Sequence, residues 1–308
     1  LPAFLVDWIK ISGFIFYLSV FWFFGPPAIV GGSFYLLYVK FWGFAPCVLT
    51  YLAWFYYTRD WPESGCMPSK FHRRNAFYIR WGGEYFSYRI VKTTEAPADR
   101  NYLVGSHPHG MICLGLILSY AARPSLGDLY KGMRGWAVTL AGQFYWPLRR
   151  ELLMLIGQLS ILYFHTIPGH CAGIGTASKA NFKWIYGQKK KGQCILVVVG
   201  GLNECLMTTP GKYRLKLKDR KGFVRMAITE DADLIPMYHF GENETYQPVT
   251  GICPKRLRNM QAHLMNTFGF CPPLHVGRSL FGLPWGGLVP RRYSTLLLYN
   301  SLEDDEFL

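Results

Sequence analysis

The chain has 308 residues, with 33 Lys and Arg against 19 Asp and Glu, a formal charge of +14. Half of its residues are apolar, 17% are aromatic and only 17% are charged, where soluble domains carry about a quarter charged. This excludes a disordered chain, a coiled coil and a disulfide scaffold, and a mean hydropathy of +0.10 points towards a membrane.

Ile11 to Val39 runs without a formal charge, and Phe41 to Thr58 does so again after Lys40. A helix needs about 20 residues to cross a hydrocarbon core of about 30 Å. The two runs therefore predict a transmembrane helical hairpin over 1–58, turning at Lys40-Phe41-Trp42-Gly43. One span plus a buried or interfacial segment is the alternative. The first run is too long for a cleaved signal peptide and no small-residue cleavage site ends it. Arg59, Lys70, Arg73, Arg74 and Arg80 follow against Asp60 and Glu63. The positive-inside rule then sets the rest of the chain, and the N-terminus with it, in the cytosol. Residues 59–75, rich in charge and turn formers, read as a cytosolic linker, and 76–308 as one domain. The eight scattered cysteines form no Cys-x-x-Cys pair and read as reduced core thiols. The sequon Asn243-Glu244-Thr245 is expected to stay unmodified. Residues 59–302 hold 31 basic and 14 acidic residues, a charge suited to anionic headgroups or a polyanionic substrate. No recognition motif for nucleic acid accompanies it.

From about residue 76 the pattern is mixed α/β. Asn101 to Gly105 reads as a short strand entering His107-Pro108-His109-Gly110, and Met111 to Ala122 as an apolar helix. Gly135 to Thr166 reads as helical, with a strand near Leu159 to Phe164. Ala172 to Lys191 reads as a helix ending in three lysines, which suits its C-terminal dipole. Gln193 to Val199 is a continuous β-branched run, the mark of a buried parallel strand, and leads into Gly200-Gly201. Lys212 to Lys218 alternates strictly and predicts an edge strand. Gly222 to Thr229 opens a helix, and Leu234 to Phe240 is a further strand. This order favours a largely parallel sheet flanked by helices, with its active site at the carboxyl ends of strands.

Two motifs fall at such ends. In His107-Pro108-His109-Gly110 two imidazoles flank a proline that fixes the turn, and glycine lets a ligand approach the backbone. Histidine is the usual general base near neutral pH. Amides at the start of the next helix are placed to stabilise an oxyanion. Two loop histidines without a role, or two ligands of a zinc ion, are the competing readings. Glu204 follows the second strand, where a carboxylate either orients an imidazole or serves as a first-turn acid of a helix. Lys212, Arg214, Lys216, Lys218, Arg220, Lys221 and Arg225 crowd a short stretch with Asp219 as its only acid. They read either as a solvated face or as a cradle for the phosphates of a nucleotide-bearing group. Arg220-Lys221-Gly222 breaks the alternation and starts a helix, which favours it for that role. No Gly-x-Ser-x-Gly elbow, P-loop, His-Glu-x-x-His or dinucleotide fingerprint occurs.

His107-Pro108-His109-Gly110, Gly200-Gly201-x-x-Glu204, Pro210-Gly211, Arg220-Lys221-Gly222-Phe223-Val224-x-x-Ala227, Pro236, Phe240-Gly241-Glu242-x-x-x-Tyr246, Gly277-Arg278 and Gly287-Leu288-Val289-Pro290 occur in this order. Together they resemble the type 2 diacylglycerol acyltransferase family, which includes the monoacylglycerol and wax-alcohol acyltransferases. The likeness runs from about residue 14 to Arg292. It implies a membrane hairpin followed by a glycerolipid-acyltransferase-like mixed sheet. It implies acyl-CoA as co-substrate, no further cofactor, no metal, and a neutral lipid alcohol as acceptor, diacylglycerol first among them. The expected setting is the lipid bilayer of the endoplasmic reticulum, as a multi-pass protein with a cytosolic catalytic domain, and lipid droplets. A homo-oligomer is among the allowed states. The family's catalytic histidines carry over to His107 and His109 and its carboxylate to Glu204; on the reading of the residues themselves, Gly110 is expected at the oxyanion turn and Arg220, Lys221 and Gly222 at the donor phosphates.

The end of the chain departs from the family pattern. There, a proline, a Thr-Thr-Val-Val-Gly stretch and a helical tail follow two basic residues. Here Arg291-Arg292 leads to Tyr293 to Tyr299 and then to acidic residues. Ser294 to Tyr299 is expected to fill the strand position. A catalytically silent lipid-binding paralogue is therefore the alternative reading.

Overall fold

The computed structural model describes residues 3–64, 77–122, 126–156 and 170–249, and parts of 255–300. A seven-stranded sheet organises them, in the order β1-β9-β6-β2-β5-β3-β4. The strands are β1 (Arg89–Lys92), β2 (Asn101–His107), β3 (Arg134–Thr139), β4 (His170–Thr176), β5 (Gln193–Val198), β6 (Ala232–Phe240) and β9 (Leu297–Asn300), with β7 (Gln247–Pro248) and β8 (His275–Val276) forming a separate pair. All neighbours in the large sheet run parallel except β6 and β9. The expected α/β class with a mainly parallel sheet is thus found, and a strand does follow Ser294.

The central strand β2 is buried along its whole length. Its side chains alternate between two cores, as the period of two requires. Tyr102 and Val104 pack with Leu196, Ile235 and Met237 on one face. Leu103 packs with Trp136, Ile195, Phe182 and Ile185 on the other. Cys194 and Cys205 lie in the first core, whereas Cys47 is exposed.

The transmembrane hairpin is not found. No helix among the described residues is long and apolar enough to cross a membrane. Residues 3–57 break into α1 (Ala3–Leu18), a π-helical stretch (Ser19–Phe24), α2 (Gly25–Tyr38), a 3-10 turn (Trp42–Phe44) and α3 (Ala45–Tyr57). The breaks fall where prolines remove backbone donors, at Pro26-Pro27 and Pro46, which sit at helix starts. The longest piece has 16 residues, about 24 Å at a rise of about 1.5 Å per residue. Nor is α1 apolar all round in its surroundings. Ile11 and Phe14 are buried in the main core, with Phe14 against Gly82 and Gly13 against Trp81 of the helix Phe77–Tyr85.

A buried arginine fastens α3 to the sheet domain. Arg150, 1% exposed, starts the helix Arg149–Ile156. Its guanidinium donates to the Thr58 carbonyl at 2.5 Å and to Thr58 Oγ1 at 2.7 Å. It also donates to Glu151 at 3.1 Å and lies over the Phe55 ring. Arg150→Ala leaves the Thr58 oxygens without that donor and is expected to cost about 3 kcal/mol. Denaturant unfolding checks this, and a change below about 1 kcal/mol would show the contact to be idle.

Several local expectations shift. The stretch from Gly135 opens as β3, turns, and becomes helical only from Arg149 to Ile156. Its Trp-Ala-Val-Thr run is a buried strand between β5 and β4, and a short apolar run does not distinguish strand from helix. The predicted strand at Leu159 to Phe164 lies outside the described residues. Ala172 to Lys191 divides into β4 and a helix, Lys179–Tyr186, capped by Ser178 Oγ. The three lysines follow that helix instead of ending it. The helix after His107-Pro108-His109-Gly110 begins at Leu114. Lys212 to Lys218 forms no strand: one isolated bridge joins Thr209 and Lys212, and the alternation decorates an extended loop. Of the linker 59–75, residues up to 64 are described and include a 3-10 turn, Trp61–Glu63.

Candidate active site

The structure brings three of the predicted residues together. β2 ends at His107 and β5 ends just before Gly200, on adjacent parallel strands. Glu204, 2% exposed, lies in the first turn of the helix Gly201–Met207. Its Oε2 accepts the main-chain N–H of His109 at 2.8 Å. Its Oε1 accepts the N–H of Lys216 at 2.9 Å and faces His107 Nδ1 at 3.6 Å. Burial pushes the Glu204 carboxyl up, but His107 and these two amides outweigh it and hold it below its ordinary value. It stays ionised at neutral pH.

The two histidines differ in their surroundings. His107 is buried and its Nδ1 has no closer partner than Glu204. Its Nε2 reaches towards Gly105, near Val199 and Phe223. His109 is half-buried. Its Nδ1 lies 3.0 Å from the Gly110 carbonyl. A carbonyl only accepts, so Nδ1 carries the proton and Nε2 is left with its lone pair. Burial lowers the His109 pKa, partly offset by that bond and by Glu204, which favours the neutral ring.

Gly110 has φ +61°, and a Cβ there would stand 2.2 Å from Glu242 Oε1. Only glycine suits both demands. Glu242 is the residue that sequence reasoning left without a role. It is 1% exposed, and its two oxygens accept the N–H groups of Leu114 at 3.1 Å and Gly115 at 2.6 Å. These are among the amides the sequence reading offered to an oxyanion, and Glu242 already occupies them. Cys113 caps this helix without a side-chain bond, so the cap comes from the far end of β6. Burial raises the Glu242 pKa to about 8, against the pull of the two amides.

Arg220 reaches back towards the same strand end. Its guanidinium approaches the Gly200 carbonyl at 3.4 Å, and its Nε is buried without a partner among the described residues. Lys221 and Gly222 are exposed at the start of the helix Gly222–Thr229, which has no side-chain cap. A Cβ at Gly222 would meet nothing within 4 Å. The basic loop is pinned along its length: Gly211 N–H to Glu244 at 3.3 Å, the Lys212 carbonyl to Asn243 Nδ2 at 2.9 Å, and the Lys216 amide to Glu204. Asn243 of the sequon is itself buried. Among the described residues no group of three or more His, Cys, Asp or Glu is arranged to hold a metal ion.

The site is thus a buried carboxylate facing a histidine where two parallel strands end, beside an uncapped helix start rich in cations. The family model described as diacylglycerol acyltransferase matches residues 34–297, and the chain belongs to that family. Human 2-acylglycerol O-acyltransferase 3 is 33% identical over 277 residues, 89% of this chain and 74% of that protein. Human diacylglycerol O-acyltransferase 2 is 34% identical over 241 residues, 78% of this chain and 58% of that protein. 2-Acylglycerol O-acyltransferase 1 of Bos taurus is 33% identical over 245 residues, 79% of this chain and 68% of that protein. The chain thus spans less than two thirds of human diacylglycerol O-acyltransferase 2. No solved structure matches.

Proposed function

We propose that the chain is an acyl-CoA-dependent O-acyltransferase that esterifies the free hydroxyl of a diacylglycerol or monoacylglycerol. The observation that carries this is the Glu204–His107 pair at the ends of β5 and β2, in a chain whose relatives are named for those two acceptors. His107 Nε2 is the base. It takes the acceptor's hydroxyl proton while the oxygen bonds to the thioester carbonyl carbon. The carbon–sulfur bond then breaks, and the CoA sulfur leaves with the proton from the imidazolium. Glu204, ionised, steadies Nδ1–H and the transient positive ring. His109 contributes its main-chain N–H to Glu204, and the Gly110–Cys113 turn supplies amides to the oxyanion. Arg220, Lys221 and the helix start at Gly222 meet the donor's phosphates. Exposed Phe34, Tyr38, Trp42, Leu49 and Tyr57 on α2, α3 and the turn between them offer a lipid-facing surface where a water-insoluble acceptor is met.

Transfer from labelled acyl-CoA to a panel of diacylglycerol, monoacylglycerol and long-chain alcohol tests this. An ester product on a glycerolipid is expected. No ester on any acceptor from protein that is folded would favour the silent lipid-binding reading. Arg220→Ala is expected to raise the KM for acyl-CoA about tenfold with kcat nearly unchanged, since it removes a contact made equally in ground and transition states. An unchanged KM would return the basic loop to the status of a solvated face.

A further inference from the structure

The end of β6 holds both flanks of the His107–Gly110 turn. On the upstream flank, His239 Nε2 lies 2.6 Å from Ser106 Oγ. On the downstream flank, Glu242 accepts the Leu114 and Gly115 amides. Both side chains are 1% exposed. His239 also fills the space beside Gly115, where a Cβ would stand 2.4 Å from its ring, and Glu242 fills the space beside Gly110. Two side chains from one strand end thus fix the backbone on either side of the two imidazoles, over the stretch 106–115.

We propose that Glu242 and His239 form a two-point clamp that sets the position of the His107–Gly110 turn relative to Glu204, with Glu242 as the main positioning residue. Neither is assigned as a catalytic residue, because the Glu242 oxygens are taken up by two main-chain amides and His239 Nε2 by Ser106 Oγ. The physical case rests on the accounting of polar groups. The helix Leu114–Ala121 starts from a left-handed Cys113 with no local cap, so its first amides need an acceptor. The Glu242 carboxyl group, from another element, takes two of them and ties the helix start to β6. His107 registers opposite Tyr238, so movement of the helix start relative to β6 tilts the turn between them. The 3.6 Å gap between His107 and Glu204 is the distance such a tilt changes first. Burial favours neutral His239, with a pKa lowered to about 3, so its contact with Ser106 is one of neutral groups.

The inference rests on the acyltransferase reading for its kinetic arm only. Glu242→Gln keeps the shape but turns an NH2 towards one of the two amides. In folded full-length protein, kcat is expected to fall at least about tenfold with the KM for acyl-CoA within about twofold. Hydrogen exchange in 107–118 is expected to rise with the rest of the sheet unchanged. Unchanged kcat in an active enzyme, or unchanged exchange at Leu114 and Gly115, overturns the clamp. If the wild type transfers no acyl group, the function reading fails while the exchange arm still decides the clamp. If Glu242→Gln does not fold, Ser106→Ala decides: a fall in kcat of about threefold or more with faster exchange at 105–109 supports the clamp, and wild-type values overturn it.

Discussion

His107→Ala should lower acyl transfer by at least about a hundredfold, the usual weight of a general base, without unfolding the chain. The ring closes β2, and its Nδ1 is the side-chain atom facing the ionised Glu204. Its Nε2 faces the region of Val199 and Phe223, beside the helix that begins at Lys221-Gly222. Alanine removes the proton acceptor but keeps the backbone that carries the turn. His109→Ala should cost less, because the bond from residue 109 to Glu204 comes from the main chain and survives. Initial rates with labelled acyl-CoA, measured on protein with wild-type circular dichroism, check both. If His107→Ala keeps more than a tenth of the wild-type rate while His109→Ala loses it, the two rings exchange roles.

Gly200→Ala should be nearly as damaging, through one added methyl group. Gly200 has φ −68°, so alanine meets no backbone strain there. The cost is steric. A Cβ would stand 2.1 Å from Glu204 Cδ and 2.3 and 2.4 Å from its oxygens. The carboxylate must leave, and the amides of His109 and Lys216 lose their buried acceptor. Each loss costs about 1–3 kcal/mol, so a fall of several degrees in Tm should accompany a rate loss of about a hundredfold. Glu204→Gln keeps the shape without the charge and should be milder in Tm. Wild-type activity in Gly200→Ala would show that Glu204 does not need its present seat.

How much of this was legible follows from which forces act locally. Leu103, Val104 and the Ile195–Val198 run favour buried strands because they are short, rich in Val and Ile, and bounded by glycine at Gly105 and Gly200. The strand β4, with Gly173 and Gly175, announces nothing, since glycine has no β-propensity to read. Its place is set by pairing with β3. Lys212 to Lys218 shows the opposite case: perfect alternation, but among the described residues no strand pairs with it beyond the isolated bridge at Lys212. Ile11 and Phe14 sat in a run that read as lipid-facing, yet both lie in the main core, Phe14 against Gly82 and Phe86, a contact between segments far apart in sequence. At the site, His107, His109 and Glu204 stood at recognisable strand ends. Glu242 and His239 did not, because their partners lie more than a hundred residues away. An acid just past a strand end, after Gly241, was the only trace of the clamp.

The pairing of β9 bears on the making of the chain. β9 lies between β1 and β6, the earliest and the sixth strand, and among the described residues it alone links them in the sheet. Until residues 297–300 leave the ribosome, both strands present an open rim of unpaired amides and carbonyls. One of these rims runs through Tyr238, His239 and Phe240, next to the His107–Gly110 turn. Each rim therefore stays open from the translation of its strand until residues 297–300 have been made. That delay is the interval in which a chaperone, or an unwanted neighbouring strand, has its opportunity.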